Sequence, residues 1–254
     1  MFGIVRAWRR RKILSRPFPP TWEAIILRRL PFAKLMDAAE AHRFRARLQL
    51  FVFEKHWVGA GGLAISEEMQ VVIAGAAARM ARNLPLDVYN HLSEVVIYPS
   101  DFVNPEDEER NGMAGEAHHF GTVVLSWDGV NEGLAYPNEG FDPALHEFAH
   151  VLDVSSGYYD GTPVLHSGKD YEPWAEVMTR RYRELCEAPY DSFLDDYGCE
   201  DEAEFFAVAT EAFFEMPDIM REQAPDLYAQ LRNYYRLDPH QVVDENDHGN
   251  CDDQ

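Results

Sequence analysis

The sequence predicts an α+β fold in which helices dominate and the β-sheet is small. Two short runs rich in β-branched residues, 94–98 and 122–127, end at Pro99 and at Asp128-Gly129, as strands do. Most of the remaining chain carries apolar residues at helical spacing, together with the start signals of helices.

Helix starts are marked by polar residues that can accept backbone hydrogen bonds. Ser66 is followed by Glu67 and Glu68, a pattern that places an N-cap before two acids in the first turn. Asp142-Pro143 is a second start, because Asp caps well and Pro fits the first helical position. The predicted helical segments are 22–50, interrupted at Pro31, and 66–83, 142–156, 171–187, 201–216 and 222–235.

Charge divides the chain into segments. Residues 1–50 carry 12 Lys or Arg against three acids, while the rest of the chain is strongly acidic and the whole carries a net charge of −21. We predict a basic N-terminal arm with helices over 1–40, a main domain over 41–240, and an acidic tail over 241–254 without stable structure. The arm either folds back on the acidic body, meets an acidic partner, or is simply a solvated helix start. The acidic body argues against direct nucleic-acid binding.

The sequence also argues against a membrane span and a secretory signal. The longest apolar stretch, 71–78, is far shorter than the ~18–20 residues of a membrane span. Charges at Arg6 and from Arg9 to Lys12 interrupt any apolar leader. The cysteines are three and widely spaced, which indicates neither a disulfide framework nor a metal knuckle. We expect a cytoplasmic protein.

The pentapeptide His146-Glu147-Phe148-Ala149-His150 is the main chemical signal. Residues four apart on a helix share a face, so the rings of His146 and His150 can bind one ion. An HExxH helix of this kind predicts Zn²⁺, which lowers the pKa of a water molecule, with Glu147 as the general base that accepts its proton. The alternative is two ordinary histidines on the surface or in the core.

A catalytic zinc normally takes a third protein ligand. No His follows at the short metzincin spacing, where Ser156 stands, so the helix over 201–216 is the best donor. Glu204 and Glu211 share a face there but lie two turns apart, about 10 Å, and cannot easily bind one ion. Glu204 could instead complete a capping box, and Glu211 could pair with a buried Arg or His. Asp153 is either a carboxylate partner for a ligand imidazole or a polar residue at a helix end.

Four segments together resemble a known family. These are His-Glu-Phe-Ala-His-x-Leu-Asp at 146–153, the strand 94–99 followed by Phe102-Val103, the strand 123–127, and the segment 197–214. Over roughly residues 40–240 they are similar to the Mlc titration factor A family of zinc peptidases, and 197–214 also resembles the catalytic domain of anthrax lethal factor. His118-His119 departs from the family pattern and is either exposed loop or an auxiliary metal site.

The resemblance implies a zincin-like metallopeptidase domain of the HExxH-plus-distant-Glu type. It implies that His146, His150 and Glu204 hold zinc, that Glu147 is catalytic, and that Tyr197 donates its hydroxyl to the oxyanion. The substrate would be a peptide or protein, with aminopeptidase cleavage and a regulatory role among the options. We also expect strand 123–126 to bind substrate backbone at its edge, and loop 155–169 to cover the site.

Two alternatives to a dedicated peptidase remain. In the first, the chain sequesters a transcriptional repressor, as the resemblance to the Mlc family implies, and its peptidase activity is weak or triggered by that partner. In the second, the zinc is purely structural, an interpretation that Glu147 disfavours because a closed structural site needs no acid there.

Overall fold

A computed structural model describes residues 2–102, 115–118 and 121–239 of the 254-residue chain. The helices of this part are α1 (Phe2–Leu14), α2 (Pro20–Arg29), α3 (Ala38–Glu54), α4 (Glu67–Ala81), α5 (Trp127–Ala135), α6 (Pro143–Val154), α7 (Tyr171–Glu187), α8 (Glu202–Glu215), α9 (Pro217–Gln223) and α10 (Pro225–Tyr235). The strands are β1 (His56–Gly59), β2 (Glu94–Tyr98), β3 (Gly115–His118) and β4 (Thr122–Ser126). The predicted helix-rich α+β class is confirmed.

The sheet has the order β1-β2-β4-β3. The pairs β1–β2 and β2–β4 are parallel, whereas β3 runs antiparallel to β4, with Gly115 opposite Leu125. The sequence indicated only β2 and β4, which are buried and β-branched. The other two strands have four residues each, too few to show an alternating pattern, and β3 contains no β-branched residue.

Two differences from the prediction have local causes: α5 was not predicted, and the helix predicted over 222–235 is interrupted. Ser126 ends β4 and also caps α5, because its hydroxyl accepts the amide hydrogen bond of Gly129. The single helix predicted over 222–235 is α9 followed by α10, and each begins at a proline, Pro217 and Pro225. Ser66 caps α4 as predicted, accepting from the amide of Met69 at 3.2 Å.

The core surrounds α4 and α6. Phe148, on the buried face of α6, contacts the ring of Phe51 from α3 edge-on at 5.3 Å. The arm is part of this core beyond α1, because Trp22 and Leu30 are buried in it. Gly75 in α4 lets Leu30 approach closely, since a Cβ there would collide with the Leu30 side chain. The core therefore holds the face of α6 that carries Phe148, and the opposite face of α6 is directed at α8.

In the described segments, no helix is both long and apolar enough to cross a bilayer. The acidic tail, residues 103–114 and His119 lie outside the described part of the chain.

Asp142 sets the start of α6. Its carboxylate accepts the amide hydrogen bonds of Ala144 and Leu145, each at 3.0 Å. Burial, reinforced by the negative charge of Glu215, raises the pKa of Asp142 from its ordinary value of 3.8 to about 7. The cap is therefore formed by a carboxyl group whose ionised form the fold disfavours.

Replacing Asp142 with Asn should separate the cap from the charge. An acid with a raised folded pKa loses stability as pH rises from its unfolded pKa to its folded pKa, because the unfolded chain releases the proton first. We expect the stability of Asp142→Asn relative to wild type to increase between about pH 5 and about pH 8. Asp142→Ala, which lacks the cap, should be less stable than Asn by about 1 kcal/mol. Urea unfolding at both pH values measures this, and an Asn-to-wild-type difference that is independent of pH would contradict it.

Candidate metal centre

Helix α6 presents His146 and His150 on one side, one turn apart. Their ring centroids lie 4.8 Å apart, and His150 is 3 % exposed. The Nε2 atoms of the two rings are 3.1 Å apart. The capped start at Asp142 and the packing of Phe148 into the core hold the helix so that both rings face α8.

Glu204, in the first turn of α8, meets both rings with one oxygen. Its Oε2 lies 2.9 Å from His146 Nε2 and 3.2 Å from His150 Nε2. The backbone amide of Glu204 is bonded to Asp201, which caps α8. The cap therefore uses the main chain of Glu204 and leaves its carboxylate for the histidines.

Glu211 lies two turns further along α8 and meets the other nitrogen of the same imidazole. Its Oε1 is 2.7 Å from His146 Nδ1, and its Oε2 accepts the backbone amide of Asp142 at 2.7 Å. His146 therefore lies between two carboxylates. Glu211 lies where a metal-binding His commonly donates its second ring N–H to a carboxylate.

The three converging donors fit a tetrahedral metal ion. Ligand atoms about 2.0–2.1 Å from a tetrahedral ion are separated from one another by about 3.3 Å, and the separations here are 2.9, 3.1 and 3.2 Å. Two imidazoles and a carboxylate are also the donor set of a catalytic zinc site. Burial opposes the charge of Glu204, yet hydrogen bonds from His146 and His150 lower its pKa to about 2, so its carboxylate is ionised at neutral pH.

Glu147 lies beside this centre and is 5 % exposed. Strand β3 packs against it so closely that a Cβ on Gly115 would lie 2.5 Å from Glu147 Oε1 and 2.6 Å from its Cγ. Glycine is therefore required at the start of β3 for the Glu147 side chain to fit. Strand β3, one of the two edges of the sheet, therefore contacts Glu147.

Tyr197 approaches from the short 3₁₀ helix Asp196–Cys199, which precedes α8. Its ring centroid lies 5.9 Å from that of His146, and the side chain is 43 % exposed. Burial and the negative charge of Glu204 raise the pKa of Tyr197, so its hydroxyl keeps its proton and can donate a hydrogen bond at neutral pH. The structure thus brings the predicted residues His146, Glu147, His150, Tyr197 and Glu204 to one site.

Comparison with known proteins agrees with this geometry. A family model described as glucose-regulated metallo-peptidase M90 matches residues 5–236. The chain belongs to this family. An uncharacterized protein of Synechocystis sp. is 33% identical over 245 residues, which cover 91% of this chain and 89% of the relative. Proteins named Mlc titration factor A from Pectobacterium atrosepticum and Serratia proteamaculans are 28% and 26% identical, covering 86% and 83% of this chain and 86% and 85% of their own.

Membership establishes the general activity. The protein is a metallopeptidase, a hydrolase that uses a metal ion, and the resemblance to the Mlc titration factor A family inferred from the sequence is confirmed. A cluster of His146, His150 and Glu204 suited to a metal lies in the described part of this M90 peptidase.

Loop 155–169, which follows α6, adds a residue that the sequence did not indicate. Tyr159 places its ring 5.0 Å from that of His150. Burial and the charge of Glu204 raise its pKa, so it stays protonated like Tyr197. No motif marks Tyr159, because its position depends on how the loop folds back rather than on its distance along the chain from His150.

Asp153 holds this loop. The sequence offered it as a partner for a ligand imidazole or as a polar helix end, but its fully buried carboxylate accepts the backbone amide of Gly161 at 2.9 Å. Gly161 has φ 73° and packs directly on the carbonyl of Glu202, the first residue of α8. The loop is thereby fastened to both helices of the metal centre.

Two glycines of the loop give a matched test. Gly161→Ala places a Cβ against the Glu202 carbonyl, whereas Gly157→Ala, at φ 92°, meets no atom within 4 Å. Gly157→Ala should lose only about 1–2 kcal/mol for the left-handed backbone. Gly161→Ala should lose a further 1–3 kcal/mol or so from overpacking, and it should also lower peptidase activity by displacing Tyr159. Thermal unfolding and peptide cleavage of both variants test this, and equal effects would show that the loop is not fastened at Gly161.

Proposed function

We propose that this M90 protein is a zinc peptidase in which His146, His150 and Glu204 hold the ion and Glu147 is the general base. The observation that carries the proposal is the convergence of three donor atoms within about one tetrahedral edge of one another, with a buried carboxylate next to them on the same helix. When bound, zinc would supply a Lewis acid that lowers the pKa of water and polarises a peptide carbonyl.

Three side chains of the protein have the remaining roles. Glu147 accepts the proton of the attacking water on a carboxylate oxygen and returns it to the nitrogen of the leaving amine. The Tyr197 hydroxyl donates a hydrogen bond to the oxygen on which negative charge develops. Glu211 fixes the orientation of His146 through Nδ1.

The substrate backbone is proposed to add to the sheet at β3. Edge addition at 123–126 is wrong, because β4 is paired with β2 on one side and β3 on the other. Strand β3 is the edge that adjoins Glu147 through Gly115, so an extended peptide along it would bring its carbonyls to the acid. Glu200 and Asp201 add negative charge beside Tyr197, which favours a substrate amine nearby and supports an aminopeptidase mode.

Replacing Glu147 with Gln tests the base. Gln keeps the size of the side chain but cannot accept the proton, so the rate of peptide cleavage should fall about 10²–10⁴-fold while zinc content stays at the wild-type level. Peptides with free and with acetylated amino termini are compared in the same assay, and preference for the free terminus supports the aminopeptidase mode. Wild-type cleavage by Glu147→Gln would refute the mechanism.

Glu204 and Glu211 should differ in how much each contributes to zinc affinity. Glu204→Gln removes a ligand charge and should leave little bound zinc after dialysis. Glu211→Gln keeps all three ligands and should weaken zinc binding about 10–100-fold. Zinc titration with a competing chelator gives both affinities. If Glu211→Gln weakens binding more than Glu204→Gln, the third ligand is Glu211.

A second candidate function is binding of a regulatory protein. It is favoured by the relatives that are named for titrating Mlc, which support a repressor of that kind as a partner of this chain. Binding needs no proton transfer, so the Glu147→Gln protein should keep such a partner while losing cleavage.

A further inference from the structure

Helix α1 is fastened to the body along one side. Arg10 forms an ion pair with Glu54 of α3 at 2.7 Å and donates to the carbonyl of Leu86 at 2.7 Å. Ile13 is buried, and its carbonyl accepts a hydrogen bond from Gln49 at 3.3 Å. These contacts fix which face of α1 looks inward.

The opposite face of α1 exposes three apolar side chains. Ile4, Val5 and Trp8 are 78 %, 62 % and 64 % exposed. At 100° per residue, these three lie within one 100° arc of the helix, roughly opposite Arg10 and Ile13. A single exposed apolar residue is ordinary, but a stripe of three that includes Trp, on the face turned away from the core, indicates an interaction surface.

Cations lie on both sides of this stripe. At 100° per residue, Arg9 and Arg11 flank it, Lys12 lies within it, and Arg6 lies on the other side of the helix. The exposed side chains of Arg6, Arg9, Arg11 and Lys12 carry four positive charges, and α1 contains no acid. Lys12 Nζ lies 5.6 Å from the centre of the Trp8 ring. The helix therefore presents a hydrophobic strip with a basic border, although the chain as a whole carries a net charge of −21.

We propose that α1 binds the surface of an anionic lipid membrane, lying in the plane of the interface with Ile4, Val5 and Trp8 inserted. Basic amphipathic helices with Trp on the apolar face bind in this way, burying that face to a depth of about 5–10 Å. Each Lys or Arg near an anionic surface contributes about fivefold in affinity. The acidic charges of the body are screened over about 8 Å at physiological salt, and α1 stands between the body and the membrane. An acidic protein partner is the alternative, and binding to vesicles that contain no protein distinguishes the two.

Vesicle co-sedimentation of the full-length protein tests the proposal. Wild type should bind vesicles of phosphatidylcholine mixed with phosphatidylglycerol at least tenfold more tightly than pure phosphatidylcholine, and high salt should release it. Trp8→Ala should lose at least tenfold in affinity, because its ring supplies the inserted area. Arg9→Ser with Arg11→Ser should lose about 25-fold, at about fivefold per charge.

Matched controls lie elsewhere on the surface. Tyr190, 94 % exposed and outside α1, is the aromatic control, and Tyr190→Ala should bind vesicles like wild type. Arg183→Ser with Arg221→Ser is the charge control, since both arginines are exposed on other helices. All variants should unfold at the wild-type temperature, because the substituted side chains lie on the surface.

Three outcomes overturn the proposal. The first is equal affinity for neutral and anionic vesicles, or no affinity for either. The second is wild-type vesicle affinity in Trp8→Ala, which would reduce α1 to a patch of charge suited to an acidic protein. The third is a dimer of the wild-type chain that Trp8→Ala dissociates, which would assign the stripe to a second copy.

Discussion

The imidazole of His146, held between Glu204 and Glu211, is the interaction on which the rest of the centre depends. It joins α6 to α8 through both ring nitrogens, at 2.9 and 2.7 Å. A carboxylate in an apolar helix is unfavourable unless it is paired or bound to a cation. Glu204 and Glu211 therefore require a partner, and one ring supplies it to both. Because Glu211 also accepts the amide of Asp142, the start of α6 is fixed by the same contact.

This arrangement explains a spacing that looked contradictory in the sequence. Glu204 and Glu211 share a face of α8 but are about 10 Å apart along its axis, too far for both to bind one ion. They do not need to, because a histidine ring offers two nitrogens on opposite sides. One acid joins the Nε2 atoms of His146 and His150, and the other meets Nδ1 and sets the ring's direction. The sequence predicted both acids as candidates but not which nitrogen of His146 each would meet. That depends on where along its length α8 crosses α6.

Features with a local cause were predictable. The caps at Ser66 and Asp142 and the face shared by His146 and His150 all follow from residues close together in the chain. Features that depend on distant segments were not. Gly115 matters only because β3 runs against Glu147, and Tyr159 matters only because Asp153 draws its loop back over His150. Strand β3 itself has no sequence signal, since its place is set by pairing with β4 rather than by side chains of its own.

The negative charges around His146 favour the binding of a cation at this centre. Glu147 and Glu211 are buried beside the histidines, and Glu204 has a side chain that is 13 % exposed. The three acids carry three negative charges if ionised, against one positive charge on a protonated His146. Burial opposes a positive charge on His146, yet the charge of Glu211 and the hydrogen bonds that the ring donates to Glu204 and Glu211 raise its pKa well above the ordinary value, so the pocket already favours a cation there. A divalent ion at the Nε2 atoms would replace that proton and offset two charges instead of one. Its binding energy would therefore also be folding energy for the α6–α8 contact. A multiply charged cation would offset the excess of negative charge that makes the pocket unfavourable by itself.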